Sequence, residues 1–140
     1  MFFLIKLYFI IYLHVFVHEL SHYILAQIIN IRVERIKIGN RLGQISIGKW
    51  DISLICGGGY VEVYQEDIVN KSKKEIVFFF LAGMTGNLIV ILTGEIVLNP
   101  LYSFLNFIIG VCFIVMNSIP FYKESDTNNI IKVLTAKSNK

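Results

Sequence analysis

The sequence is short of charge. Asp, Glu, Lys and Arg make up 16% of its 140 residues, hydrophobic residues make up 55%, and mean hydropathy is +0.64, a balance that excludes an ordinary soluble domain. It is short of proline too: the two present, Pro100 and Pro120, fall at the edges of apolar runs, where they connect or end helices. The two cysteines, Cys56 and Cys112, stand alone, which excludes a C-x-x-C centre and leaves them as small packing residues. No aromatic-and-basic pattern accompanies the net charge of +3, so a nucleic-acid surface is excluded. A cleavable leader is not expected either, because the first apolar run exceeds the usual core of about 7–15 residues and lacks a small-residue cleavage site.

What the chain does have is length in its apolar segments. Three can span a bilayer: Phe2 to about Ile29, about Ile76 to Leu98, and Leu101 to about Ile119, with Asn99-Pro100 as a tight connection. Between Asn30 and Lys74 lie eight basic residues, Arg32, Arg35, Lys37, Arg41, Lys49, Lys71, Lys73 and Lys74, against five acidic ones. The positive-inside tendency puts that segment in the cytoplasm, with the N-terminus outside. Lys123, Lys132, Lys137 and Lys140 put the C-terminus on the cytoplasmic side as well, as three spans require.

After Asn30 the apolar period changes to alternation. Ile36 and Ile38, Ile45 and Ile47, and Ile52 and Leu54 alternate with polar or small residues, with turns at Gly39-Asn40 and Gly48. Gly57-Gly58-Gly59 then precedes a further alternating stretch, Tyr60 to Tyr64. The triplet reads equally as a flexible joint or as a place where backbone approaches a helix or a bound peptide. The expected fold is an α-helical multi-pass membrane protein of about three spans, with a β-hairpin-rich membrane-associated segment, about 31–65, between the first and second. The tail, about 123–140, is expected to carry a short amphipathic helix around Ile130, Ile131, Val133 and Leu134 at the interface. One unit covers 1–140.

His18-Glu19-Leu20-Ser21-His22 lies inside the first span. A helix brings positions i and i+4 to one face about 6 Å apart along its axis, so His18 and His22 can share one metal ion with Glu19 beside it. This is the H-E-x-x-H zinc pattern, in which the glutamate is general base and a third protein ligand comes from elsewhere. Ionisable side chains cost roughly 2.5–3.5 kcal/mol each at the centre of a membrane span on insertion scales, which argues that these do chemistry. His14 shares their face, but three histidines at i, i+4 and i+8 stretch over about 12 Å and cannot bind one ion. It is read as a polar neighbour or an interhelical hydrogen-bonding residue. Downstream of Pro120, Asp126 and Glu124 are both candidates for the third ligand. Asn87, in the second span, is expected to hydrogen-bond another helix or the substrate.

These separated segments resemble one family, the site-2 proteases, intramembrane zinc metalloproteases. HELSH resembles its zinc motif, and Ile38 to Val63 with Gly57-Gly58-Gly59-Tyr60-Val61 resembles its membrane-associated hairpin region and G-G-Y-V segment. Ala82-Gly83 with Asn87 resembles A-G-P-x-x-N, and Asn117, Pro120 and Asp126 resemble N-x-x-P-x-P-x-x-D-G. Met84 replaces a proline of the pattern, as does Tyr122; Asp126 is displaced by one position, and Thr127 replaces glycine. The resemblance implies Zn2+ as cofactor, Asp126 as third ligand, Glu19 as base, and Asn117, Gly58, Gly59 and Asn87 near a transmembrane or membrane-associated peptide substrate. It further implies an active site reached from the cytoplasmic face of the cell membrane, in a minimal core without a PDZ or other regulatory domain. The competing expectations are an inactive zinc-binding membrane protein that binds a peptide partner, and a structural subunit without metal.

Overall fold

The protein is described here from a computed structural model covering residues 2–40, 43–120 and 125–138. In chain order, helix α1 (Phe2–Ile28) is followed by strands β1 (Val33–Ile38), β2 (Gln44–Ile47), β3 (Trp50–Ser53) and β4 (Gly59–Val63). Helices α2 (Gln65–Asn70), α3 (Lys73–Val97), α4 (Pro100–Ser118) and α5 (Asp126–Ser138) complete it. α1, α3 and α4 are the three expected apolar segments, each long and apolar enough to cross a membrane.

Local chemistry sets their ends. α1 stops at Asn30, whose φ of 53° is the left-handed conformation that asparagine tolerates, and the Ile31 N–H returns to the Ala26 carbonyl at 2.8 Å. Ser72 and Glu75 form a capping box at the start of α3. At α4 the Asn99 side chain accepts from the Tyr102 N–H at 3.2 Å, and Pro100 occupies the first turn, where no N–H is needed.

The three long helices are polar inside and apolar outside. His14 and Asn87 are completely buried between them and Asn106 nearly so, whereas Phe78, Leu92, Ile96, Val97 and Phe104 face outward. Bilayer lipid is the solvent that suits such a surface. Small residues let the helices meet: a Cβ at Gly86 would strike Ser21 Oγ on α1, and one at Gly94 would strike Asn106 on α4. This membrane protein therefore packs by close backbone approach and interhelical hydrogen bonds.

The segment after α1 forms one four-stranded sheet in the order β2-β3-β1-β4. Among the described residues only β2 and β3, joined at Gly48, make a hairpin, with Ile45 opposite Ile52. β1 runs parallel to β3, with Ile36 opposite Trp50, and antiparallel to β4, with Ile38 opposite Gly59. A register irregularity between Val33 and Arg35 brings Val33 onto the same buried face as Ile36 and Ile38, which strict alternation from Ile36 would have denied it. That face packs on Val15, Ala26, Ile76 and Phe79, fixing the sheet at the end of the bundle where α1 finishes and α3 begins.

Two elements differ from expectation. The short helix α2 was not foreseen; Asp67 on it accepts from the Arg32 backbone N–H at 2.7 Å and from the guanidinium at 3.0 Å, so it clamps the start of β1. α5 has its apolar residues Ile130 and Val133 packed against the protein core, an internal partner for the face expected to lie on lipid. Cys56 and Cys112 are free, and Cys112 is exposed on α4.

Candidate metal centre

The helical spacing of α1 places His18, Glu19 and His22 on its buried side, 7%, 5% and 4% exposed. Asp126 reaches them from the first turn of α5. His18 Nε2 and His22 Nε2 are 3.3 Å apart, and Asp126 Oδ2 lies 3.3 Å from the first and 3.4 Å from the second. Among the described residues these three are the group placed to hold a metal ion. Glu124, the rival ligand, lies outside the described residues, as does Tyr122.

Each donor is held from behind. His22 Nδ1 donates to the Phe79 carbonyl on α3 at 2.7 Å, which leaves Nε2 with its lone pair toward the site. His18 Nδ1 meets the Asn87 amide at 3.0 Å. Ser125, fully buried, donates to the Ile119 carbonyl at 2.7 Å and accepts the Asn128 N–H at 3.1 Å, capping α5 and delivering the next residue, Asp126, to the histidines. The one-position displacement of the aspartate is thus matched by a serine anchor where the family pattern has its aspartate.

Asp126 Oδ2 is buried without a satisfying hydrogen bond even though both imidazole nitrogens are within ion-pair distance. The reason is the kind of atom involved: the Nε2 of His22, with Nδ1 protonated, is an acceptor and has nothing to donate. Convergent acceptors of this sort call for a shared cation. Edges of 3.3–3.4 Å are those spanned by ligands of a four-coordinate ion with bonds of about 2.0–2.2 Å, and two imidazoles with a carboxylate are donors that zinc accepts.

Gly83 on α3 keeps the space beside both imidazoles clear. A Cβ there would sit 2.5 Å from both His18 Nε2 and His22 Nε2. Gly59 does the same for Glu19: a Cβ would lie 2.6 Å from its Cγ and 2.8 Å from its Oε1, so the Glu19 carboxyl group rests against the backbone of β4. The site opens into a cavity of about 400 Å³ bordered by Gly57 to Val61, Phe113, Met116 and Asn117. Glu19, Gly58, Gly59 and Asn117 are therefore brought to one cavity with the three candidate ligands. Asn87 is not: it lies behind His18, bonded to His14 and His18. Sequence reasoning passed over Gly83 and Ser125 as site residues, although a glycine one turn before Asn87 in an apolar helix and a serine preceding an acidic helix start were visible signals.

The profile of peptidase family M50 matches residues 6–136. The chain belongs to peptidase family M50, the site-2 protease family. A protein of Rickettsia conorii (strain Malish 7) named "Putative zinc metalloprotease" is 32% identical over 117 residues, which cover 76% of this chain and 32% of that relative. The chain thus spans about a third of the length of the curated relative it matches. Membership of a metalloprotease family agrees with the metal requirement inferred from the buried, unsatisfied Asp126 oxygen.

Proposed function

We propose that this M50 chain is a zinc-dependent intramembrane endopeptidase that hydrolyses a transmembrane or membrane-associated peptide near the cytoplasmic face. The observation that carries the reading is the triangle of His18 Nε2, His22 Nε2 and Asp126 Oδ2, with edges of 3.3–3.4 Å, inside helices whose outward faces are apolar. His18, His22 and Asp126 hold the ion. When bound, zinc supplies Lewis acidity, polarising a peptide carbonyl and acidifying water.

The chain's own groups supply the rest. Glu19, pressed against Gly59, takes the proton from the attacking water and returns it to the departing amine. β4 is hydrogen-bonded along one edge to β1, and among the described residues its other edge is unpaired beside the cavity. A substrate segment unwound into extended form adds to that edge by backbone hydrogen bonds. Gly58 and Gly59 keep the edge clear of side chains, and Asn117, whose Nδ2 donates to the Phe113 carbonyl at 3.0 Å, borders the opposite wall. The cavity holds water where lipid would otherwise exclude it.

The basic residues Arg32, Arg35, Lys37 and Lys49 lie in or beside the sheet, and Lys71, Lys73 and Lys74 at the start of α3, the same end of the bundle. The positive-inside rule makes that end cytoplasmic, with the N-terminus outside and three passes of the cell membrane. His18 and His22 are ten and six residues from the end of α1 at Ile28, about 15 and 9 Å along the axis, so an ion shared between them would sit between the middle of the bilayer and its cytoplasmic face. The test is a cleavage assay on purified protein in bilayers with membrane-peptide candidates, comparing wild type with Glu19→Gln and locating the cut by product mass. Zinc bound at one equivalent without any Glu19-dependent cleavage would favour the inactive peptide-binding alternative.

A further inference from the structure

Behind His18 a line of polar groups crosses all three long helices. His18 Nδ1 meets the Asn87 amide, the other end of that amide lies 3.1 Å from His14 Nδ1, and His14 Nε2 lies 3.1 Å from Asn106 Oδ1 and 3.3 Å from the Asn106 carbonyl. Asn106 Nδ2 ends the line by donating to the carbonyls of Val90 at 3.1 Å and Ile91 at 3.4 Å. Asn87 and His14 are completely buried and Asn106 is 1% exposed, so water cannot substitute for a missing partner.

The line has a direction, fixed at its far end. Because the Asn106 nitrogen is committed to backbone carbonyls, that residue offers His14 only oxygens, and His14 Nε2 must carry a proton. If Asn87 turns Oδ1 toward His14, His14 must also be protonated on Nδ1, giving a buried cationic ring, and the His18 proton must stand on Nε2, pointing into the site. A half-turn of the amide, which exchanges its nearly isosteric oxygen and nitrogen, removes both difficulties. His14 then donates from Nε2 to Asn106, accepts on Nδ1 from Asn87 Nδ2, and Asn87 Oδ1 accepts from His18 Nδ1. Every polar group is satisfied with neutral rings, and His18 Nε2 is left as a lone pair.

We propose that Asn106, His14 and Asn87 are positioning residues forming a directional hydrogen-bond relay that locks His18 in its metal-binding tautomer, so that a residue of α4 remote from the cavity sets affinity at the metal centre. Aromatic packing supports the geometry, since the His14 ring stacks on Phe113 at 5.8 Å and Gly110 on α4 leaves the room that ring needs. The inference rests on His18 being a ligand, and zinc stoichiometry of the wild type tests that separately.

The experiment measures zinc affinity of purified protein in detergent by chelator competition, alongside thermal unfolding of the metal-free form. Asn106→Leu, which removes the side-chain oxygen and leaves His14 Nε2 only the Asn106 carbonyl at 3.3 Å, should lower affinity about 10-fold, the low end of the usual effect of losing an outer hydrogen-bond partner. Asn106→Gln, which keeps an amide oxygen for His14 and an amide nitrogen for the α3 carbonyls, should restore part of it. Zinc bound by the wild type but held equally tightly by a folded Asn106→Leu overturns the relay; wild type that binds no zinc overturns the metal-centre reading instead. Should Asn106→Leu fail to fold, nitrogen-15 spectra of imidazole-labelled, zinc-loaded wild type decide. They should show His14 neutral and protonated on Nε2 and His18 protonated on Nδ1, whereas a cationic His14, or one protonated on Nδ1, refutes the proposal.

Discussion

Gly83→Ala is the sharpest test of how the centre is built, because one methyl group is placed between the donors. The added Cβ would stand 2.5 Å from each Nε2, about 1 Å inside the roughly 3.5 Å at which non-bonded heavy atoms rest comfortably. Relief requires either that both imidazoles swing away or that α3 withdraws from α1 by a similar distance. Withdrawal by about 1 Å would stretch the 2.7 Å bond from His22 to Phe79 and the 3.0 Å contact of Asn87 with His18 beyond the range of useful hydrogen bonds. Both routes damage the ligand set. Overpacking of this kind costs about 1–3 kcal/mol of stability, and zinc affinity should fall by at least the 10–100-fold or so seen when outer partners alone are lost.

The assay is chelator competition on detergent-purified protein, with Gly86→Ala as control. A Cβ at Gly86 would meet Ser21 Oγ and, at 2.9 Å, the Val17 carbonyl, in the same helix interface but away from both Nε2 atoms. Gly86→Ala should therefore lower the unfolding midpoint with a much smaller loss of zinc. Undiminished zinc affinity in a folded Gly83→Ala protein, or equal losses in the two variants, would refute the idea that Gly83 reserves the ion's space.

Glu19→Gln should retain zinc while cleavage falls about 10²–10⁴-fold, the usual contribution of a positioned base, as read from initial rates. Asp126→Ala removes one donor of three, so metal analysis should find zinc largely lost, and the stabilisation of about 2.7 kcal/mol expected at a hundredfold excess of zinc over its dissociation constant should vanish from its thermal unfolding. Gly59→Ala, with a Cβ 2.8 Å from the Lys37 carbonyl as well as against Glu19, should depress cleavage while leaving zinc content unchanged. At the sheet, hydrogen bonds from Arg32 hold the Asp67 carboxyl below its ordinary 3.8, so its contribution to stability is complete above that value and is lost as pH falls through the lowered one. Unfolding midpoints of Asp67→Asn should accordingly vary less with pH below about 4 than those of the wild type.

How much of this was legible depended on how local the cause was. HELSH could be read because the 3.6-residue period alone puts His18, Glu19 and His22 on one buried face. The sheet's existence followed from alternation, but its order did not: a parallel β1–β3 pair and a strand that shifts register after Val33 are decided by which apolar faces find the helices. Asp126 could not be separated from Glu124 on chemistry because the choice turns on the chain path after Ile119. The Ser125 bond to that carbonyl, together with its cap on α5, is what brings Asp126 to the histidines.

The polar relay was least legible for a different reason. In water, an interior helix face announces itself by hydrophobic residues, but among lipid chains apolarity is everywhere and carries no direction. On α3 the face toward the other helices is marked instead by Gly83, Gly86, Asn87 and Gly94, which recur at three-, four- and seven-residue intervals and are buried, while Leu88, Ile89 and Leu92 point outward. Small and polar residues at helical spacing are thus the signal that survives in such a sequence. They identify which side of α3 is inside, yet the pairing of Asn87 with a histidine 73 positions earlier, and of that histidine with an asparagine 92 positions later, is set by how three helices pack at once.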